Sequence, residues 1–112
     1  MIVNLIIILS LFSCEKQDIL KGTLGCIEIR INKIASDPVW NPPAKVYSYE
    51  YNGQPVFYFP ARCCDIPSEL YDENCNLLCL PDGGITGSGD GQCSDFFNTR
   101  INEELIWEDN RK

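Results

Sequence analysis

The cysteine content of this chain most constrains how it can fold, because cross-links between fixed positions exclude most arrangements of a short sequence. The 112 residues include seven cysteines and no histidine. Cys14 closes an apolar N-terminal segment, and the other six form an even set. Such a set predicts three disulfides in an exported chain, but would suggest a metal site in the reducing cytosol. The six are Cys26, Cys63, Cys64, Cys75, Cys79 and Cys93.

The first fourteen residues decide between these alternatives. Residues 2–13 are largely apolar, and they fall short of the roughly 20 residues that a membrane span needs, which is typical of a signal peptide. The run ends in Leu11-Phe12-Ser13-Cys14, which resembles the lipobox of bacterial lipoproteins, although no Lys or Arg precedes it. The pattern predicts cleavage before Cys14 and acylation of its sulfur. An ordinary signal peptide or a buried apolar strand is the alternative.

This prediction divides the chain into a signal peptide (1–13), a lipidated tether (14–22) and one disulfide-rich domain (23–112). The tether sequence Glu15-Lys16-Gln17-Asp18 resembles the Lys-and-acid stretch that directs lipoproteins of the Bacteroidetes to the cell surface. We therefore expect a cell-envelope protein that is anchored to the outer membrane by palmitate or a similar acyl chain. It would face either the periplasm or the exterior.

The charge balance narrows the choice of partners. Sixteen acidic residues oppose nine basic ones, which gives a net charge of −7. Because an acidic domain is repelled by phosphate backbones, nucleic acid is not an expected partner. Contact with the membrane is expected only through the lipid anchor, and a protein of the envelope is the expected soluble partner.

The segment that follows the tether predicts a helix. Ile27, Ile31 and Ile34 recur at helical spacing, and Thr23 can cap a helix that starts near Leu24. Alternation of isoleucine at 27, 29 and 31 leaves a strand as the alternative.

Residues 44–60 predict a β-hairpin. Asn52-Gly53 is the favoured pair for a type I′ turn between two segments rich in aromatic and branched side chains. With that turn, the facing pairs are Tyr51 with Gln54, Tyr49 with Val56, and Tyr47 with Tyr58. The opposite face carries Val46, Phe57 and Phe59, and one of the two faces should meet the helix. The tyrosine side is interpreted as ordinary cross-strand packing, with an exposed binding surface as the alternative.

The remaining pattern completes an α+β fold. Residues 69–72 and 75–80 predict two short strands, residues 81–92 a glycine-rich loop, and residues 105–109 a last strand, with a helical turn near 102–104 as the alternative. The predicted architecture is one N-terminal helix on an antiparallel meander of four or five strands, stapled by disulfides. A cystatin-like arrangement is one analogy that fits.

Geometry restricts the disulfide pairing. If residues 75–80 form a strand, the Cα atoms of Cys75 and Cys79 lie about 13 Å apart, and a disulfide needs less than about 7 Å. Cys75 and Cys79 should therefore bond to different partners. The adjacent residues Cys63 and Cys64 should each find a distant partner, and Cys26 is expected to join one of them.

Chemistry-bearing patterns are sparse. Without histidine there is no Ser-His-Asp or Cys-His site, and a thin domain of about 100 residues leaves little room for a cleft between two carboxylates. We expect no enzyme activity, no catalytic residue, no metal site and no cofactor. Calcium held by Asp82, Asp90 and Asp95 is the metal alternative, because the glycines between them can wrap an ion. The cysteine spacing does not fit zinc, and the loop lacks P-loop order.

Several strings along residues 24–109 together resemble an uncharacterised family of small Bacteroidetes lipoproteins, a domain of unknown function. The resemblance implies lipoprotein status and an envelope location, and it assigns no activity and no functional residue. We expect a non-catalytic binding or interaction module. The alternatives are a structural or calcium-dependent envelope component, or a hydrolase inhibitor that uses residues 82–93 as a rigid exposed loop. The strings include Asn41-Pro42-Pro43-Ala44-Lys45-Val46-Tyr47, Cys63-Cys64-Asp65, Cys75-Asn76-Leu77-Leu78-Cys79 and Asp82-Gly83-Gly84-Ile85-Thr86-Gly87.

Overall fold

The computed structural model describes residues 17–63 and 65–111. The predicted signal peptide, the predicted acylation site Cys14 and the predicted disulfide residue Cys64 lie outside the described residues. No helix in the described part of the chain is long and apolar enough to cross a membrane.

The architecture is α+β, as predicted. The five strands form one antiparallel sheet in the order β4-β3-β2-β1-β5. The main helix packs on one side of this sheet, and a four-residue helix lies before the last strand. The elements are α1 (Gly25–Ala35), β1 (Lys45–Tyr51), β2 (Gln54–Phe59), β3 (Glu69–Asp72), β4 (Leu77–Cys79), α2 (Phe96–Thr99) and β5 (Ile101–Glu108).

Helix α1 forms where the isoleucine stripe predicts it, so the strand alternative is wrong. Ile27 and Ile31 are fully buried, whereas Ile29 is 70% exposed, which is the pattern of a helix with one face on a core. The predicted cap is also wrong. Leu24 occupies the N-cap position without a side-chain hydrogen bond, and the Thr23 hydroxyl donates instead to the Leu20 carbonyl oxygen at 2.6 Å.

The β1–β2 hairpin has the predicted register. Tyr51 faces Gln54, Tyr49 faces Val56, and Tyr47 faces Tyr58. Asn52 and Gly53 have φ values of 54° and 76°, the left-handed conformations that a type I′ turn requires at both central positions.

The later elements shift relative to the prediction. Cys75 has a φ of 62° and lies in a turn, so β4 begins only at Leu77. Asp72 shapes this turn, because its Oδ1 accepts hydrogen bonds from the backbone amides of Asn74 and Asn76, both at 2.9 Å.

The last strand is longer than predicted. Strand β5 pairs with β1 from residue 101 onward, so the alternative of a helical turn near 102–104 is wrong; the short helix α2 precedes the strand. Its first five residues are exposed at the edge of the sheet, so burial imposes no apolar pattern on them and the sequence carries no strand signal there.

Both faces of the sheet are covered by buried side chains. We call the side under α1 the helix face and the opposite side the tyrosine face. The core of the helix face consists of Ile27, Ile31, Ala44, Val46, Phe57, Phe59, Tyr71, Ile106 and Trp107. The core of the tyrosine face consists of Tyr49, Val56, Tyr58, Leu70, Cys79, Cys93 and Phe96.

One disulfide belongs to each face. Cys26 bonds to Cys75 beside the helix face, and Cys79 bonds to Cys93 within the tyrosine face. Separate partners for Cys75 and Cys79 are therefore confirmed. The expectation that Cys26 would join Cys63 or Cys64 is wrong, because the β3–β4 turn is the segment beside the first turn of α1. Cys63 is also disulfide-bonded.

An ion pair fastens the end of the chain to α1. The buried Asp109 carboxylate accepts hydrogen bonds from Arg111 Nε at 2.9 Å and Nη2 at 2.6 Å. Arg111 Nη1 also donates to the carbonyl oxygens of Ala35 and Asp37, each at 2.8 Å. A cation at the C-terminus of a helix satisfies its last carbonyl groups and complements the helix dipole.

Candidate functional site

The tyrosine face is mainly a core and not an exposed ladder. Tyr49 and Tyr58 are only 6% and 7% exposed, and their rings contact Phe96 at centroid distances of 5.4 and 5.7 Å. Tyr47 and Tyr51 are half-buried at its margin. The interpretation as ordinary packing is therefore confirmed.

Each tyrosine of the two cores donates its hydroxyl hydrogen to a carboxylate. Tyr49 donates to Glu103 at 2.6 Å, Tyr58 to Asp82 at 2.9 Å, and Tyr71 to Glu69 at 2.8 Å. Tyr51, at the margin, donates to Asp95.

These phenols hold their protons. Burial, with the acceptor carboxylate adding to it, raises the pKa of Tyr58 and of Tyr71 to about 12. Burial likewise raises the pKa of Tyr49, whereas for Tyr51 the hydrogen bond to Asp95 is the main cause of the raised pKa. A phenol with so high a pKa stays protonated at neutral pH, so these groups act as hydrogen-bond donors and not as bases.

Residues 82–93, which we call the glycine loop, form an ordered projection next to this face. The Gly83 amide donates to the Gly87 carbonyl oxygen at 3.1 Å, and the Gly89 amide donates to the Gly83 carbonyl oxygen at 3.0 Å. The disulfide of Cys93 to Cys79 closes the base of the loop.

Glycine is required at one point of this loop for close approach. Gly89 has a φ of 66°, and a Cβ there would lie 1.8 Å from the Leu80 carbonyl oxygen. The following amide, that of Asp90, donates to the same oxygen at 2.9 Å. The loop backbone therefore packs directly against the chain at the end of β4, with no space for a side chain.

The glycine loop presents one large apolar side chain to solvent. Ile85 is 88% exposed, the highest value among the large hydrophobic residues of the described chain. Binding residues are found disproportionately on loops that a rigid scaffold holds in place. Ile85 is therefore the candidate contact residue of this loop.

The carboxylates considered for calcium are used separately. Asp82 accepts from Tyr58, Asp95 accepts from Tyr51, and Asp90 accepts from the amide of Gln92 at 3.0 Å. In residues 17–63 and 65–111, no three His, Cys, Asp or Glu side chains form a group that could hold a metal ion.

Comparison with known protein families identifies the family of this chain. A model of a domain of unknown function (DUF6970) matches residues 32–109. The chain belongs to this family. No curated protein and no solved structure matches the chain.

The DUF6970 match begins inside α1 and covers the whole sheet and the glycine loop. It confirms the resemblance to an uncharacterised family. The lipoprotein status and bacterial group implied by that resemblance stay predictions, as does acylation of Cys14.

Sequence reasoning missed one further grouping in this DUF6970 domain. Arg30 and Arg62 line the same groove together with Trp40, although they come from α1 and from the segment after β2. Arg30 and Arg62 lie far apart in the sequence and share no motif. The one signal for them was the presence of isolated arginines in an acidic sequence.

Proposed function

We propose that this chain is a lipid-anchored protein of the bacterial cell envelope and acts as a non-catalytic binding module. The lipobox-like sequence at Ser13-Cys14 supports the anchor. Disulfides at Cys26–Cys75 and Cys79–Cys93 support a location outside the cytoplasm, because structural disulfides persist in oxidising compartments.

The anchor is tested by labelling cells with a palmitate analogue. The wild-type chain should take up the label, and Cys14→Ser should lose it, because the acylated sulfur is gone. Ser10→Ala, which changes the apolar segment without touching the lipobox, should keep the label. Label that persists in Cys14→Ser would contradict the proposal.

The binding role rests on one observation, the exposure of Ile85 on an ordered loop. A loop whose backbone is already fixed loses little conformational entropy when a partner covers it, so more of the contact energy appears as affinity. The proposed partner is a protein of the cell envelope that has an apolar pocket for this side chain.

The same observation favours a second candidate, an inhibitor of a hydrolase. An inhibitor presents a rigid loop to the enzyme, and the disulfide at the base of residues 82–93 provides such rigidity. The calcium-dependent alternative has less support, because Asp82 and Asp95 already accept tyrosine hydroxyls. We expect millimolar calcium to raise the melting temperature by less than about 5 °C, which corresponds to roughly 1 kcal/mol.

The loop is tested by affinity capture from an envelope extract followed by binding measurements with the purified captured protein. Ile85→Ser should weaken binding, whereas Ile29→Ser, a change at an equally apolar side chain that is 70% exposed on α1, should not. Both positions are exposed, so both variants should keep the wild-type melting temperature. Equal binding by Ile85→Ser and the wild type would exclude the loop as the contact site.

A further inference from the structure

A groove of about 300 Å³ lies between α1 and the segment that joins β2 to β3. Its walls are mostly apolar, and none of its lining residues belongs to the glycine loop, so it is a separate feature. We call it the arginine groove. The apolar walls are formed by Ile34, Trp40, Phe59, Pro60, Ile66 and Pro67.

Arg30 and Arg62 line this groove, and the guanidinium group of each lies over an aromatic ring. The Arg30 Cζ atom lies 4.0 Å from the centroid of the Tyr71 ring, and the Arg62 Cζ atom lies 5.6 Å from that of Trp40. A cation over the face of an aromatic ring is attracted by the ring quadrupole, so these contacts restrain both side chains.

Neither guanidinium is neutralised. In the described part of the chain, no carboxylate lies within 4.0 Å of Arg30 or Arg62, and neither donates a hydrogen bond. Glu69 also lines the groove; its carboxylate accepts the hydroxyl hydrogen of the neutral Tyr71 phenol and keeps its negative charge, but it makes no ion pair with either arginine. Two unpaired cations at one apolar groove contrast with a chain whose net charge is −7.

The indole of Trp40 adds an unused donor. Its Nε1 atom is buried and has no hydrogen-bond partner. Buried donors are almost always paired, and an unpaired one is destabilising. The groove thus combines two guanidinium groups that form no ion pair and a tryptophan with an unsatisfied N–H, beside one carboxylate, that of Glu69, which already accepts a hydrogen bond.

We propose that the arginine groove binds a small carboxylate whose body is aromatic or branched and apolar. The guanidinium fork matches the two oxygens of a carboxylate, and the apolar walls can cover the body of the ligand. Its volume is at the lower end of the about 300–1,000 Å³ typical of ligand pockets, so the ligand is small. Such a carboxylate can belong to a free acid or to the C-terminus of a peptide.

The test titrates the ¹⁵N-labelled full chain in detergent micelles with matched acids and amides. Phenylacetate represents the free acid, and N-acetylphenylalanine represents a peptide C-terminus. Phenylacetamide and N-acetylphenylalaninamide keep the body and lose the charge. The chain has two tryptophans, so the Trp40 indole N–H signal can be followed with buried Trp107 as an internal reference.

We expect both the signal of Trp40 and the backbone signals of the groove to shift saturably with at least one acid, and not with its amide. The acid that binds more tightly identifies the source of the carboxylate. Inorganic phosphate should not produce the shift, because it has no apolar body to cover. Equal shifts with acid and amide, or an equal shift with phosphate, would overturn the proposal.

Substitutions locate the site. Arg62→Gln and Arg30→Gln should each weaken acid binding about tenfold, because a charge-assisted hydrogen bond contributes more than 1.4 kcal/mol, the equivalent of a factor of ten. Arg100→Gln is the matched control: its guanidinium also stacks on aromatic rings, at 4.8 Å from Tyr49, but lies outside the groove. Arg62 is exposed, so Arg62→Gln keeps the test valid if Arg30→Gln fails to fold. Wild-type affinity in Arg62→Gln would overturn the proposal.

Discussion

The two faces of the sheet are buried to a similar degree but by different means. On the helix face, an eleven-residue helix covers the strands, and its Ile27 and Ile31 are completely inaccessible. On the tyrosine face, a four-residue helix and the base of a loop provide the cover, and Tyr49 and Tyr58 fill the space.

This difference shows what a small domain needs when it lacks a second long helix. The aliphatic part of the helix face, which includes Ile27 and Ile31, must be covered completely, because these side chains have no polar end to place in water. Tyrosine rings bury a large area while each hydroxyl reaches a partner near the rim, here the carboxylates of Glu103 and Asp82. Two core tyrosines, Tyr49 and Tyr58, lie on the tyrosine face and one, Tyr71, lies on the helix face, so the tyrosine face should depend more on tyrosine hydrogen bonds and on alkaline pH.

Removing the disulfides is the strongest way to test the comparison. Cys26→Ser with Cys75→Ser should lower the free energy of unfolding by about 4 kcal/mol, and Cys79→Ser with Cys93→Ser by about 3 kcal/mol. The cysteines of the first pair are 49 positions apart and those of the second 14, so the first restrains the unfolded chain more. Urea denaturation measures both losses. After full reduction the variants and the wild type should unfold alike, and a larger loss for the second pair would contradict the chain-entropy explanation.

The ion pair between Asp109 and Arg111, at the C-terminus of α1, should have the next largest effect. Asp109→Asn should destabilise the fold by about 2 kcal/mol, because the buried carboxylate loses its charge-assisted hydrogen bonds from Arg111. Glu108→Gln is the control: its pair with Lys45 spans 3.8 Å at the surface, so its loss should cost less than about 1 kcal/mol. Similar losses from both variants would show that the buried pair has no special role.

The same pair predicts an acid dependence. Hydrogen bonds from Arg111 lower the pKa of Asp109 in the folded state. Its contribution to stability is thus present above the unfolded pKa of about 3.9 and is lost as the pH falls through the folded value. Denaturation at pH 7 and pH 3 should show that acid lowers the free energy of unfolding of Asp109→Asn less than that of the wild type.

Alkaline pH should destabilise the molecule through its tyrosines. Unfolded tyrosines ionise near pH 10, whereas burial holds the pKa of Tyr58 and Tyr71 at about 12 and also raises that of Tyr49. Their stabilisation is complete below pH 10 and falls as the pH rises towards 12, because the unfolded state then releases protons that the folded state retains.

We expect the melting temperature to fall by several degrees between pH 9 and pH 11, with tyrosinate absorbance rising as the protein unfolds. Tyr58→Phe should reduce this fall, since one raised pKa is removed. Ionisation of Tyr49, Tyr58 or Tyr71 near pH 10 in a still-folded protein would contradict the assignment of buried, hydrogen-bonded phenols.

The smallest expected effect concerns a single hydroxyl group of the tyrosine face, that of Tyr58. Tyr58→Phe should cost about 1 kcal/mol, because Asp82 loses a hydrogen-bond donor. Tyr47→Phe is the control: in the described chain the Tyr47 hydroxyl makes no hydrogen bond, so little stability should change. Differential urea denaturation resolves the two variants, and equal costs would mean that the bond to Asp82 contributes nothing net.

Local sequence patterns predicted the structure correctly wherever the residues of a single element set its conformation. The Asn52-Gly53 turn imposed the register of the hairpin, and the isoleucine stripe specified α1. The predicted helix cap at Thr23 and the predicted start of β4 were wrong by one or two residues. Thr23 hydrogen-bonds within a turn that precedes the helix, and Cys75 has a left-handed conformation that a strand does not allow.

The candidate sites divide in the same way. The sequence alone was enough to predict the loop at residues 81–92 and to identify a lipobox-like motif that ends at Cys14. The separate partners of Cys75 and Cys79 were predicted correctly, but from a strand over residues 75–80 that begins only at Leu77. The folded structure was needed to show that Cys26 joins Cys75, that Arg111 caps α1, and that Arg30 and Arg62 share a groove. Sequence periodicity reports which face of an element is buried, but contacts between distant segments depend on which elements become neighbours, and six cysteines alone allow fifteen pairings.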